Sequence, residues 1–312
     1  MLPTQTQVKP KIQKTDPPVV FHSIQDRFYQ IRRYFIEKLT VEKHGKSGFQ
    51  KIQFHQHLEQ AKSYDQMERA CKMYQENYEK GCCDQDLVKT LGRIDWQKDT
   101  VMAWMGDLNV AQGAHLFLMA LPFLIFKYPT LKFLVIGRGE SREFLEALIL
   151  NLERAQPDHF FEILKKYFLK LSSKELKQAH HAFLQRIKRK EDALLYFEHA
   201  RSIEERLFFT GTLSQKDLEG LLPLCQGAIL SAAPADQMAA TARCVLACGV
   251  VPLFHDIKAF SKFRLQVGKK LKSKKLKLKK LRLDLHYIDH FIWNMDFWMA
   301  HKARFQKAMA HF

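Results

Sequence analysis

The chain changes its hydrophobic period twice. Between Phe21 and Leu91 apolar and aromatic residues recur three or four apart with charges between them, as in IQDRFYQIRRYFIEKL and YDQMERACKMYQENYEK, which predicts amphipathic helices. After Asp95 the pattern becomes short continuous apolar runs that end in glycine and alternate with helical stretches. VMAWM, LKFLVIG, RLFFTG, GAILSA and VVPLF read as strands buried on both faces. AHLFLMALPFLIFKY, REFLEALILNLE, DLEGLLPLC and MAATARCVLACG read as the helices between them, with a kink expected at Pro122. Strand and helix in alternation mean a parallel α/β sheet.

Residues 151–205 interrupt that alternation with three helical stretches rich in Lys, Leu and Phe, an insertion into the α/β unit. Residues 1–20 are polar, contain proline and show no period, so they read as a disordered lead. Residues 261–283 form a basic segment, and residues 284–312 are aromatic and helix-compatible, with too many large apolar side chains for a free tail. The predicted divisions are therefore a lead (1–20), a helical N-terminal region (21–91), an α/β domain with its insertion (92–260), the basic segment and a docking C-terminal helix.

With 312 residues, nearly half of them apolar, a substantial core is expected. The first residues lack the apolar core of a secretory signal and no apolar run is long enough for a bilayer, which gives a cytoplasmic expectation. Six cysteines without a CxxC pair fit a reducing compartment and exclude a zinc knuckle; no metal site is expected. The net charge of +17 is concentrated in KFRLQVGKKLKSKKLKLKKLR, Lys262 to Arg282, which holds no acid. Lysine alternating with leucine there suits an anionic membrane surface or a partner protein, and equally a solvated linker. No stacking motif accompanies the charge, so specific nucleic-acid binding is not expected.

The ordered series GRID (92–95), WMGDLNVAQGAHLFLMALP, FLVIGRGESREFLEAL, RLFFTGTLSQKDLEGLLPLC, GAILSAAP and CVLACGVVPL resembles the C-terminal, Rossmann-like domain of the retaining GT-B glycosyltransferases that include the sucrose and glycogen synthases. The likeness covers roughly residues 90–260, and the helical insertion resembles that of one bacterial subgroup. It implies a donor crevice for a nucleoside-diphosphate sugar, retaining hexosyl transfer without a metal, and no other cofactor. Gly106, Gly137 and Gly139 would shape the crevice, Arg138 would assist phosphate, Asp236 would contact the sugar as the catalytic carboxylate, and the backbone of Gln237, Met238, Ala239 and Ala240 would face phosphate.

The departures from that pattern concern charge. The family's Arg and Lys in the first loop correspond to Asp107 and Gln112, and its ribose-binding Glu corresponds to Cys244. A diphosphate leaving group needs cations, so an active enzyme would have to bring Arg138, Arg142 or Arg243 into the crevice instead. Asp236 also reads as a helix N-cap, and Gly137-Arg138-Gly139 as a plain strand-to-helix turn. The helices before Asp95 lack the length and the Gly-rich turn of an acceptor domain. Two functional expectations stand: a divergent glycosyltransferase, or a catalytically inactive descendant serving as a scaffold or binding subunit beside a partner transferase or at a membrane.

Overall fold

The computed structural model describes residues 24–41, 48–75, 83–231, 235–255, 282–283 and 288–309. Of the basic segment only its end, Arg282 and Leu283, lies among them; the lead lies outside them.

Six strands form one parallel sheet: β1 (Thr100–Met105), β2 (Leu131–Ile136), β3 (Leu207–Gly211), β4 (Gly227–Leu230), β5 (Val251–His255) and the two-residue β6 (Arg282–Leu283). Their order is β3-β2-β1-β4-β5-β6, the Rossmann arrangement, so this is an α/β fold whose strand order reverses between β1 and β4. All five strands read from the sequence are present, and Arg282, read as part of the basic segment, closes the sheet against Phe254.

The continuous apolar runs follow from burial on both faces. Along β1, Met102 and Trp104 enter one core while Val101, Ala103 and Met105 enter the other, and β2 splits in the same way, with Phe133 and Val135 against Leu134 and Ile136. Alternate side chains of a strand point to opposite faces, so a sheet covered twice needs apolar residues at every position. Helix α5 (Ala114–Lys127) lies on the first face and is buried almost all round, which explains why its sequence is apolar on every side. It runs unbroken through Pro122. With it on that face pack α6 (Arg142–Glu153), α7 (Pro157–Ile163), a single π-helical stretch (Leu164–Leu169), α8 (Lys174–Arg186) and α9 (Lys190–Ala200). The insertion is helical as expected, but α6 carries the domain on to Glu153 before it begins.

The other face is covered by α10 (Gln215–Leu221) and α11 (Ala235–Ala247), joined by α1 (Ile24–Val41) and α4 (Leu87–Leu91). Helices α2 (Gly48–Gln60) and α3 (Tyr64–Gln75) join the first core. The N-terminal region thus embraces the β3 edge, and between α3 and α4 Cys83 and Asp84 pair with it, Asp84 N–H donating to Thr210 O at 2.8 Å. The C-terminal helix α12 (Ile288–Met309) docks as expected: Phe291, Met295 and Trp298 are buried, and Asp296 accepts from Lys127 Nζ and Tyr128 Oη, each at 2.7 Å. Among the described residues no helix is long and apolar enough to cross a membrane.

Candidate functional site

In an open parallel sheet the ligand crevice lies beyond the carboxyl ends of the strands where their order reverses. A cavity of about 210 Å³ opens there, lined by the ends of β1 (Met105, Gly106, Asp107), β2 (Ile136, Gly137, Arg138) and β4 (Leu230, Ser231), by Thr212 and Leu213 after β3, and by Leu218 and Thr241 from α10 and α11. A shallower cavity of about 540 Å³ adjoins it through Asp107 and Arg138, with Asn109, Gly139, Glu140, Glu143 and, from α3, Gln75. Five of the residues singled out in the sequence therefore converge: Gly106, Asp107, Gly137, Arg138 and Gly139.

The glycines let backbone meet backbone. A Cβ on Gly137, whose φ is +151°, would stand 1.9 Å from Gly106 O, and one on Gly106, at φ +155°, would stand 1.6 Å from Ser231 Oγ. Gly139 lies against the backbone of Leu108 in the same way. The loops are laced together: Gly106 N–H donates to Ile136 O at 3.2 Å, Gly137 N–H to Gly211 O at 3.0 Å, Leu108 N–H to Arg138 O at 2.7 Å and Ser141 N–H to Leu108 O at 2.9 Å. Much of the backbone polarity at the strand ends thus closes the crevice floor. The π-helical stretch braces the second loop, because Tyr167 stacks on Phe144 at 3.6 Å and its hydroxyl meets Ser141 Oγ at 3.2 Å.

The charges divide unevenly. Of the three arginines able to replace the missing cations, only Arg138 lines the crevice. Arg243 is exposed on α11 and lines neither cavity. Arg142 points away and is 1% exposed: Nη1 and Nη2 donate to Asp84 at 2.9 and 2.6 Å, Nε donates to Glu146 at 2.7 Å, and the guanidinium lies over the Phe209 ring. Lys51 of α2 joins them at 2.7 Å from Asp84. Burial alone would raise the Asp84 carboxyl, but Arg142 and Lys51 outweigh it and hold the group below its ordinary value. Asp107, Glu140 and Glu143 make the adjoining cavity acidic.

The remaining predicted residues lie as follows. Gln112 sits in a short 3₁₀ turn, its N–H held by Asn109 Oδ1 at 2.9 Å, and lines neither cavity. Cys244 packs with Cys248 against the second core and lines neither cavity, and burial raises its thiol above the ordinary value. Helix α11 starts at Ala235, so Asp236 belongs to its first turn and not to the capping position; the side chains of Asp236, Gln237, Met238 and Ala239 lie outside the described residues. Ala240 is exposed, and Thr241, one position on, reaches the crevice.

A further cavity of about 300 Å³ borders β3 between α2, α4 and α6, and it holds many charged side chains. They largely answer one another: Lys51 with Asp84 and Asp86, Arg142 with Glu146, Arg93 with Glu204 at 3.9 Å. This is the seam that ties the N-terminal helices to the sheet edge, and its internal pairing makes it the weaker candidate. Sequence reasoning missed it because Lys51, Asp84 and Arg142 are far apart in the chain, and the one of them within a motif, Arg142, reads there as a ligand for the crevice. Among the described residues no group of three or more His, Cys, Asp or Glu side chains is arranged to hold a metal. Comparison with known protein families, with curated proteins and with solved structures finds no match for this chain.

Proposed function

We propose that the protein is a divergent glycosyltransferase-like protein whose switch-point crevice takes a nucleoside-diphosphate sugar. The observation that carries this reading is the convergence of Gly106, Asp107, Gly137 and Arg138 from β1 and β2 beside the reversal of strand order, the position that the likeness to the GT-B donor domain assigns to the diphosphate. In this reading Arg138 meets the phosphates, the first turn of α11 offers its N–H groups, and Asp236 contacts the sugar. Any transfer is of a hexose, with retention, needs no metal or other cofactor, and occurs in the cytoplasm or at its membrane face.

A second reading, an inactive descendant acting as a scaffold, is favoured by one finding: Arg138 is the sole arginine or lysine among the described lining residues, and Asp107, Glu140 and Glu143 surround it. Like charge there opposes a diphosphate. In that reading the basic segment 261–283 holds an anionic membrane surface or a partner transferase.

A thermal-shift titration against UDP, GDP, ADP and their hexose conjugates separates the two. Ligand at about a hundred times its Kd stabilises the fold by about 2.7 kcal/mol, which at this chain length is a rise of about 4 °C in Tm. A cooperative melt that no nucleotide moves removes the donor-site reading.

A further inference from the structure

His115 stands in the first turn of α5 and His180 in the middle of α8. Both are 0% exposed, and their Nε2 atoms are 2.7 Å apart. The His115 ring also stacks on Phe168 of the π-helical stretch, centroids 4.7 Å apart. One ring must donate its Nε2–H and the other accept it, so the accepting ring keeps its hydrogen on Nδ1. Neither Nδ1 has a partner. A first proton, taken at the free Nδ1 of the donating ring, would leave Nε2–H···Nε2 in place but strand a positive charge in an apolar interior, and a second would turn the contact into two donors facing each other.

Among the described residues no acid acts on either ring to offset that charge. Helix α5 has no other charged residue before Lys127, which is taken up by Asp296 of α12. Of the neighbouring elements, the π-helical stretch offers Phe168, with Lys166 directed to Glu162; α9 offers Tyr196, whose hydroxyl donates to Met119 O, and α8 itself carries Glu175, Lys177 and His181 on its exposed side. The charge-bearing neighbour acting on His115 is His180; on His180 only burial acts. Burial, and then His180, hold His115 well below the ordinary imidazole value, and burial brings His180 down to about 4.

We propose that the His115–His180 pair is an acid-operated latch: protonation expels His180, releases α8 from α5 and loosens the loop from Gly106 to Gly113 that α5 anchors, while the sheet stays folded. The anchoring of α8 is thin enough for this, since of its thirteen residues only Leu176, Ala179, His180 and Phe183 are buried. The second core, on the far side of the sheet, includes no residue of α8. The inference stands whatever the crevice binds.

The sign follows from linkage. A free imidazole takes up its proton near pH 6.5, and the latched pair resists, so the closed state is fully favoured above that pH and loses ground below it. Each ring favours opening by about tenfold per pH unit, so two rings give on the order of 10³-fold between pH 6.5 and 5. Hydrogen exchange read by mass spectrometry at pH 7.5 and 5.0, corrected for intrinsic rates, should show this loss of protection in peptides covering 174–186, with far smaller changes in β1, β2 and β4. In the double variant His115→Leu/His180→Met the acid response should vanish, and in His180→Met alone, with one ring left, it should shrink to about 30-fold. Unchanged protection of 174–186 in the unaltered protein, an equal loss throughout the sheet, or an undiminished response in the double variant would each overturn the latch.

Discussion

Replacing Arg142 with methionine tests whether the N-terminal helices are welded to the sheet edge by charge. The side chain makes three hydrogen bonds to two carboxylates, of which Asp84 is 0% and Glu146 6% exposed. Methionine refills most of the volume and keeps some contact with Phe209, so little of the effect comes from a cavity. The cost is instead that two buried carboxylates lose their guanidinium, while Lys51 stays at 2.7 Å from Asp84 and His55 at 3.5 Å from Glu146. Removing one partner of a buried pair costs about 3–5 kcal/mol, chiefly because the other charge stays buried. With an unfolding entropy of about 2.1 cal/mol/K per residue, a loss of about 4 kcal/mol lowers Tm by about 6 °C in a chain of this size. Urea denaturation followed by circular dichroism and by tryptophan fluorescence gives the number and checks that both probes coincide. Adding Asp84→Asn should recover part of the loss, since the stranded charge is then gone. A loss below about 1 kcal/mol, or no recovery in the double variant, would refute the view that this cluster fastens the region.

The same cluster sets an acid limit: the Asp84 pKa is depressed in the fold, so its contribution is present above the ordinary carboxylate value and lost as pH falls through the folded one, a decline that the variant Arg142→Met should flatten. Glu153 works in the opposite direction, because burial and then Glu204 raise it to about 7, so its penalty builds as pH rises from the ordinary carboxylate value and is complete above about 7; Glu153→Gln should stabilise the protein far more at pH 8 than at pH 5, measured by urea midpoints. Gly137→Ala should disturb the crevice floor, since the added methyl meets Gly106 O at 1.9 Å; a loss of less than about 1 kcal/mol would contradict the close approach. Asp107→Arg should strengthen UDP binding by about tenfold or more, through a charge-assisted hydrogen bond and removal of an anion, and equal affinities in the two proteins would count against diphosphate at this loop.

The sequence by itself determined the sheet and the position of the crevice. Apolar runs such as VMAWM and LKFLVIG allow burial on two faces, and the glycines that end them mark where the chain must turn tightly. Gly106, Asp107, Gly137, Arg138 and Gly139 could be brought together on paper because each directly follows a strand, and parallel strands deliver their ends to one side. Where the outcome depended on partners distant in sequence, the chain alone gave no sign. Arg142 reads as a candidate phosphate ligand four residues after Arg138, yet Asp84, 58 positions earlier, draws it away from the crevice. His180 falls within the Lys-rich helical stretches of residues 151–205 and carries no mark in the sequence, yet its helix turns it inward onto His115. The likeness puts Cys244 in the place of a ribose ligand, yet it packs beside Cys248 against the second core. Periodicity fixes which face of an element is apolar; which polar group then meets which is decided by packing, because burial makes a charge or an imidazole seek whatever partner the fold brings within hydrogen-bond reach.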